Sequence, residues 1–308
     1  MASYLVTGAN GFIGKRLSKT LLDSGNKVFA VVTDKKAMED LVCGNLIVLD
    51  GFFADYDRLF HSIPVGEIDT VFHFAWQGLC GKDVKDYRTQ LDDAKYACDA
   101  FIYSQEIKAK RFILISSINT AETITYLTGE NHSIPRYTNV YGIAKLSAEM
   151  ICKTIAANIP GTMFNCAQLS MVYGEGNYSK MVPNVVISSL VKGVSPSLIK
   201  GDRLYDLVYV GDVVSGLLAI SEKGKNLETY PIGHIHLESF RKLFTEMGKI
   251  VNPNVSLKFG VYQGDVEIDF SAIDFRKTLD DTGFVAEANF DKTILATARW
   301  IGQNLSSF

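Results

Sequence analysis

Apolar residues along the chain fall into short compact runs, and longer segments between them repeat their apolar positions every three or four residues. Tyr4–Thr7, Val28–Val32, Leu46–Leu49, Thr70–Phe74, Phe112–Ser116 and Met163–Leu169 are of the first kind, rich in β-branched and aromatic residues, and predict buried strands. Gly14–Ser24, Asp92–Lys108 and Tyr141–Asn158 are of the second kind and predict helices with one apolar face. Strands alternating with helices in this way predict an α/β chain built on a doubly wound parallel sheet. After about residue 170 the rhythm loosens and Pro183, Pro196, Pro231 and Pro253 interrupt it. The expected division is therefore a first domain over 1–170 that takes the chain back near 205–235, and a smaller, mixed C-terminal lobe over 171–204 and 236–308.

Composition narrows the function classes. A chain of 308 residues with 47% hydrophobic and 21% charged residues has an ordinary globular balance. Its formal net charge of −3 offers no basic footprint for nucleic acid or an anionic membrane, which leaves small-molecule chemistry as the default. The chain passes from Met1-Ala2-Ser3 straight into its first apolar run, and no stretch approaches the roughly 18 apolar residues of a membrane helix, so a cytoplasmic protein is expected. Cys43, Cys80, Cys98, Cys152 and Cys166 are scattered and lack metal-ligand spacing, which predicts free thiols and no metal site.

Two stretches carry chemistry. The first strand runs into Gly8-Ala9-Asn10-Gly11-Phe12-Ile13-Gly14, whose glycines allow a tight turn and bring backbone N–H groups close to a pyrophosphate at the start of the next helix. Much later, Tyr141 and Lys145 stand four apart, on one face of a predicted helix. A free phenol titrates near pH 10 and is a poor base at neutral pH, and a neighbouring ammonium would lower that value. Tyr141 could then exchange a proton with a substrate oxygen.

Thr7-Gly8-Ala9-Asn10-Gly11-Phe12-Ile13-Gly14, followed by Ser116-Ser117 at a strand end and by Tyr141-Gly142-Ile143-Ala144-Lys145, resembles the extended short-chain dehydrogenase/reductase family, the NAD-dependent epimerase/dehydratase type, from residue 4 to about 220. The resemblance implies a Rossmann sheet with catalytic Ser117, Tyr141 and Lys145, Lys145 also holding the nicotinamide ribose. It implies that Gly8, Asn10, Gly11, Phe12, Ile13 and Gly14 cradle the cofactor, that Asp50 beside Gly51 meets the adenine amino group, and that Phe74, Ala75 and Trp76 pack along the dinucleotide. His73, one residue earlier, is read as structural. Gln77, Asn119, Met171, Lys180 and Arg203 fall on the substrate side, where Lys180, Lys200 and Arg203 are candidate grips for a diphosphate. Asp212 is expected to cap the following helix. The loop Thr33-Asp34-Lys35-Lys36 chooses the cofactor, because a carboxylate there suits NAD and cations suit NADP. Lys35 and Lys36, with Arg16, predict a modest NADP(H) preference, and Asp34 argues the other way.

Several positions depart from the family pattern. Ile118 and Asn119 stand where sugar dehydratases carry an Asp-Glu pair, which argues against elimination of water. Gln168, Met171 and Glu175 replace an Arg, an Asn and a Pro, and Asp93 replaces a helix Asn. The leading reading is an NAD(P)-dependent oxidoreductase that reduces a keto-sugar, a nucleotide-linked deoxy-sugar reduced at C4. The runner-up is a nucleotide-sugar 4-epimerase, and a non-enzymatic NAD(P)-sensing regulator is the third. The resemblance also implies a homodimer through Asp92–Lys108 and Tyr141–Asn158.

Overall fold

The computed structural model describes residues 1–79, 82–128, 139–263 and 270–308. Its centre is a seven-stranded sheet made of β1 (Ser3–Thr7), β2 (Lys27–Val32), β3 (Leu46–Asp50), β4 (Thr70–His73), β5 (Arg111–Ser117), β6 (Met163–Leu169) and, much later, β11 (Thr229–Ile232). The strands lie in the order β11-β6-β5-β4-β1-β2-β3 and every pairing in the sheet is parallel. Chain order reverses between β1 and β4, so a crevice opens beyond their C-terminal ends, where open α/β sheets take their ligands.

Helices α1 (Phe12–Asp23), α2 (Tyr56–His61), α3 (Tyr87–Glu106), α4 (Asn119–Thr128) and α5 (Asn139–Asn158) connect these strands. Side chains alternate across the sheet, and each face has its own core. Leu5, Val31, Val71, Phe112, Leu114 and Phe164 pack on one side against Phe101 of α3 and Ala144, Ala148 and Cys152 of α5. Val6, Ala30, Phe72, Ile113, Ile115 and Ala167 pack on the other side against Leu17 and Leu21 of α1. Both faces being covered is why the strands read as unbroken apolar runs.

Beyond β6 come the short β7 (Met171–Tyr173), α6 (Val182–Val191), β8 (Ser197–Leu198), β9 (Leu204–Tyr205), β10 (Leu207–Tyr209) and α7 (Val210–Lys223). After β11 follow β12 (Glu238–Ser239), α8 (Phe240–Val251), β13 (Lys258–Phe259), α9 (Arg276–Thr282) and α10 (Phe290–Gln303). Val213, Val214, Leu217 and Ile220 of α7 join the sheet's second core. A third core gathers Val186, Ile187 and Leu190 of α6, Phe244 and Met247 of α8, and Ile294, Ala298 and Ile301 of α10.

Three details differ from the sequence reading. Pro231, read as an interruption, lies inside β11 opposite Gln168. An edge strand has a free side, so one missing N–H is tolerated there. Pro183 occupies the first turn of α6, where its absent N–H is no loss. Helix α3 begins five residues before Asp92, because Asp86 caps it through the Thr89 N–H at 3.3 Å and the polar first turn hides the apolar face.

Candidate active site

The β1–α1 turn depends on its glycines. Gly8 has φ +67°, which strongly favours glycine, and a Cβ there would lie 3.0 Å from the Ala75 nitrogen. A Cβ on Gly14 would stand 2.4 Å from the Gly8 carbonyl oxygen. Gly11 is the N-cap of α1 and offers no side-chain acceptor to the helix's first N–H groups. A helix start of this kind, beside the β1/β4 crevice, fits a pyrophosphate, and Gly8, Gly11, Phe12, Ile13 and Gly14 would hold one by backbone alone. Asn10 reaches Thr33 at 3.4 Å, which ties this turn to the loop after β2.

In that loop Asp34 accepts from the Lys36 N–H at 2.9 Å, and Lys35 lies 3.7 Å from the Asp50 carboxylate at the end of β3, just before Gly51. Arg16 lies near enough to Tyr209 to ease ionisation of its phenol, and the Tyr209 hydroxyl donates to Glu175 at 2.9 Å. His73 is 1% exposed, with Nδ1 2.9 Å from the Thr7 hydroxyl. Burial drives its pKa down to about 3, so it is neutral at physiological pH, as a structural histidine should be.

Strand β5 delivers Ser117 to the C-terminal edge of the sheet, and α5 brings Tyr141 and Lys145 to it. The Ser117 hydroxyl donates to Asn119 Oδ1 at 2.9 Å and lies near enough to the Tyr141 phenol to ease its ionisation. Lys145 is 3% exposed and donates to the Ile115 carbonyl at 2.8 Å. Its ammonium sits 3.6 Å over the Trp76 ring, whose plane meets Tyr141 edge-on with centroids 6.2 Å apart. Ser117, Asn119, Tyr141, Lys145 and Trp76 are thus assembled at one point.

The electrostatics differ from the sequence expectation. Burial pushes Tyr141 above the ordinary phenol value and Ser117 pulls it back in part. Lys145, 5.9 Å from the Tyr141 ring centre, is itself pushed down to about 7 by burial, with Asp93 opposing. In the protein without ligands it is therefore Ser117 that eases ionisation of Tyr141.

The substrate-side residues are more scattered. The Gln77 backbone N–H is bound by Asp93, Met171 lies in β7, and Gln168 donates to the Thr120 hydroxyl. Lys180 is exposed in the loop after β7, a loop that reaches the phosphate turn through Gly176 beside Phe12. Arg203 is exposed just before β9, and Lys200 pairs with Asp202 at 2.5 Å. Asp212 does not cap α7. It lies inside the first turn and accepts from the Glu287 and Ala288 N–H groups at 3.3 and 3.1 Å, holding a distant loop.

Two groupings escaped sequence reasoning. Asp206, 2% exposed, accepts from His234 Nδ1 at 2.7 Å. Ile235 next to it shares a small apolar cluster with Ile118, the neighbour of Ser117. Gln90 and Asp93 on α3 are also buried beneath the loop after β4. A lone histidine or glutamine carries no sequence signal of such pairing. The hints were Asp93, marked only as a departure from the family's Asn, and Gly78, where a Cβ would collide with Gln90 Nε2.

Residues 4–233 match the model of the NAD dependent epimerase/dehydratase family. The chain belongs to that family. Among solved structures it is similar to the UDP-glucose 4-epimerase of Thermotoga maritima with UDP-glucose, at 23% identity and TM-score 0.79 over 98% of this chain and 99% of that one. It is also similar to the UDP-glucuronic acid 4-epimerase of Bacillus cereus with NAD, at 21% identity and TM-score 0.77 over 98% and 99%. A third is the enzyme WbmF of Bordetella bronchiseptica with NADH, at 21% identity and TM-score 0.77 over 99% and 93%. The chain is thus an NAD-dependent enzyme type built on the Rossmann sheet, with a nicotinamide dinucleotide as its cofactor class. Among the described residues no helix is long and apolar enough to cross a membrane, and no cluster of His, Cys, Asp and Glu could hold a metal ion. Cys43, Cys98, Cys152 and Cys166 are free thiols, and Cys80 lies outside the described residues.

Proposed function

We propose that this protein is a 4-epimerase of a uridine-diphosphate sugar that works with tightly held NAD. The observation that carries the reading is the convergence of Ser117, Tyr141 and Lys145 at the β5 edge, beside the turn that fits a pyrophosphate. When bound, the nicotinamide would supply reversible hydride transfer at the sugar's carbinol carbon. Tyr141 would take the proton of the C4 hydroxyl and later give it back, Ser117 would hold the same oxygen, and Lys145 would bind the nicotinamide ribose. Ile118 is buried among Phe270, Ile273 and Phe275, and Asn119 is bonded to Ser117. Neither supplies the acid for dehydration, which supports a reaction that stays at the carbinol carbon.

Keto-sugar reduction, the leading expectation from the sequence, needs the same three residues. The nucleotide-sugar epimerases among the similar structures favour the cycle that regenerates its cofactor. A pure sensor of NAD(P) would need no half-buried Ser117 and Tyr141 beside a buried Lys145. NAD is favoured over NADP, because Lys35, one of the three cations expected around a 2′-phosphate, faces the Asp50 carboxylate at 3.7 Å. The third core would form the substrate lobe, with Lys180 and Arg203 reaching the diphosphate. A homodimer through α3 and α5 fits the exposed Leu91, Ile143, Met150 and Ile151 on those helices.

Incubating the protein as isolated with UDP-glucose or UDP-glucuronic acid, no cofactor added, should yield the C4 epimer, and denaturation should release NAD. Stoichiometric consumption of added NADH or NADPH by a keto-sugar, with no epimer formed, would replace this reading by the reductase.

A further inference from the structure

Helix α3 passes beneath the loop that follows β4 and places two buried polar side chains against it. Asp93, 1% exposed, accepts the Gln77 N–H on both oxygens at 3.0 Å and the Gly78 N–H at 3.0 Å. Both oxygens act as acceptors, which is the pattern of a carboxylate. Gln90, one turn earlier and fully buried, accepts the Trp76 indole N–H at 3.0 Å and donates to the Gly78 and Asp83 carbonyls at 2.7 and 3.0 Å. Five contacts therefore fix a three-residue loop, and the Trp76 ring so held is the surface on which the Lys145 ammonium rests at 3.6 Å.

We propose that Asp93 is a positioning residue for Lys145. Its contacts to Gln77 and Gly78 hold Trp76 as a platform, and its negative charge favours the ammonium form of the buried side chain on that platform. This rests on reading Tyr141 and Lys145 as the proton-transfer pair.

An ammonium taken out of water needs a compensating charge. The titratable groups facing Lys145 are Asp93 from α3, Cys166 from β6, His73 from β4, and Tyr141 on its own helix. His73 is neutral and burial holds the Cys166 thiol well up, so Asp93 is the one counter-charge among them at neutral pH. Burial raises the carboxyl somewhat, and the Gln77 and Gly78 N–H groups together with Lys145 oppose that rise. The same charge also disfavours the Tyr141 phenolate, so the carboxylate shifts the pair toward ammonium beside phenol.

The chain has two tryptophans, so Trp300→Phe leaves Trp76 as the sole indole reporter. An ammonium over the ring perturbs its emission. In ligand-free protein carrying Trp300→Phe, the Trp76 signal should titrate near the Lys145 value of about 7, and adding Lys145→Met should abolish that titration. Asp93→Asn keeps an acceptor for the Gln77 N–H and removes the charge, and should lower the midpoint by about one pH unit or more. Asp93→Glu, which restores the charge, should return the midpoint toward the parent. Asp93→Ser serves with the same reading if the amide does not fold. An unmoved midpoint in the folded charge-neutral variant overturns the proposal and reduces Asp93 to a loop tie. No substrate enters this titration, so its outcome is independent of the epimerase assay, whose failure would leave the Asp93 to Lys145 coupling standing.

Discussion

At the scale of single residues, the site is a contest between burial and hydrogen bonding. Tyr141 is pushed above the ordinary phenol range, and Ser117 opposes that push. Because Tyr141 is the proposed proton carrier, Tyr141→Phe should lower kcat by roughly 10²–10⁴-fold and leave the NAD Kd close to the parent value, as steady-state kinetics and calorimetric titration would show. His73 makes the opposite use of burial. Its pKa in the fold, about 3, lies below its unfolded value of 6.5, so between these values the unfolded chain binds the extra proton. The fold is then stable above pH 6.5 and loses stability as pH falls toward 3, by up to about 5 kcal/mol for this one group. Denaturant unfolding at pH 7, 5 and 4 should show a shallower acid loss in His73→Gln than in the parent, and identical pH slopes would refute the assignment.

At the scale of elements, the phosphate turn is held by backbone against backbone. Gly14 opens α1 so close to the Gly8 carbonyl that a methyl group cannot enter without moving one of them. Gly14→Ala should therefore open the turn, destabilise the fold by about 1–3 kcal/mol, and weaken NAD binding at least tenfold. Melting and calorimetric titration separate the two effects. A variant that binds NAD like the parent would show that the turn does not face the pyrophosphate. Helices α3 and α5 pack on the sheet's first core through small residues, Ala97, Ala100, Ala144 and Ala148.

For the whole molecule, cofactor and fold are linked by mass action. A ligand that binds the folded chain alone stabilises it by about 2.7 kcal/mol at a hundred times its Kd. Stripping NAD from the protein as isolated should lower Tm by roughly 5 °C, and NAD should restore it more fully than NADP at equal concentration. Full restoration by NADP with none by NAD would reverse the cofactor assignment. That comparison also reads the Lys35 to Asp50 contact, since a 2′-phosphate would have to compete with that carboxylate for the lysine.

The sequence by itself determined the sheet, because strands covered on both faces must be apolar throughout, and its closely spaced glycines marked the tight turn between β1 and α1. The spacing of Tyr141 and Lys145 put them on one helix face, and it was the family resemblance that marked them, with Ser117 at a strand end, as the candidate site. What the tertiary structure decided was everything that depends on which chains of atoms meet across the fold. Pro231 became a strand residue because β11 ends at a sheet edge. Asp212 became a tie for residues 287 and 288 instead of a cap, because those N–H groups were brought to it from 75 and 76 positions away. Lys35 went to Asp50, and Asp93 to the loop that carries Trp76 beneath Lys145. Charge and hydrogen-bond partners are set by distances between residues remote in sequence, and no local pattern encodes those distances.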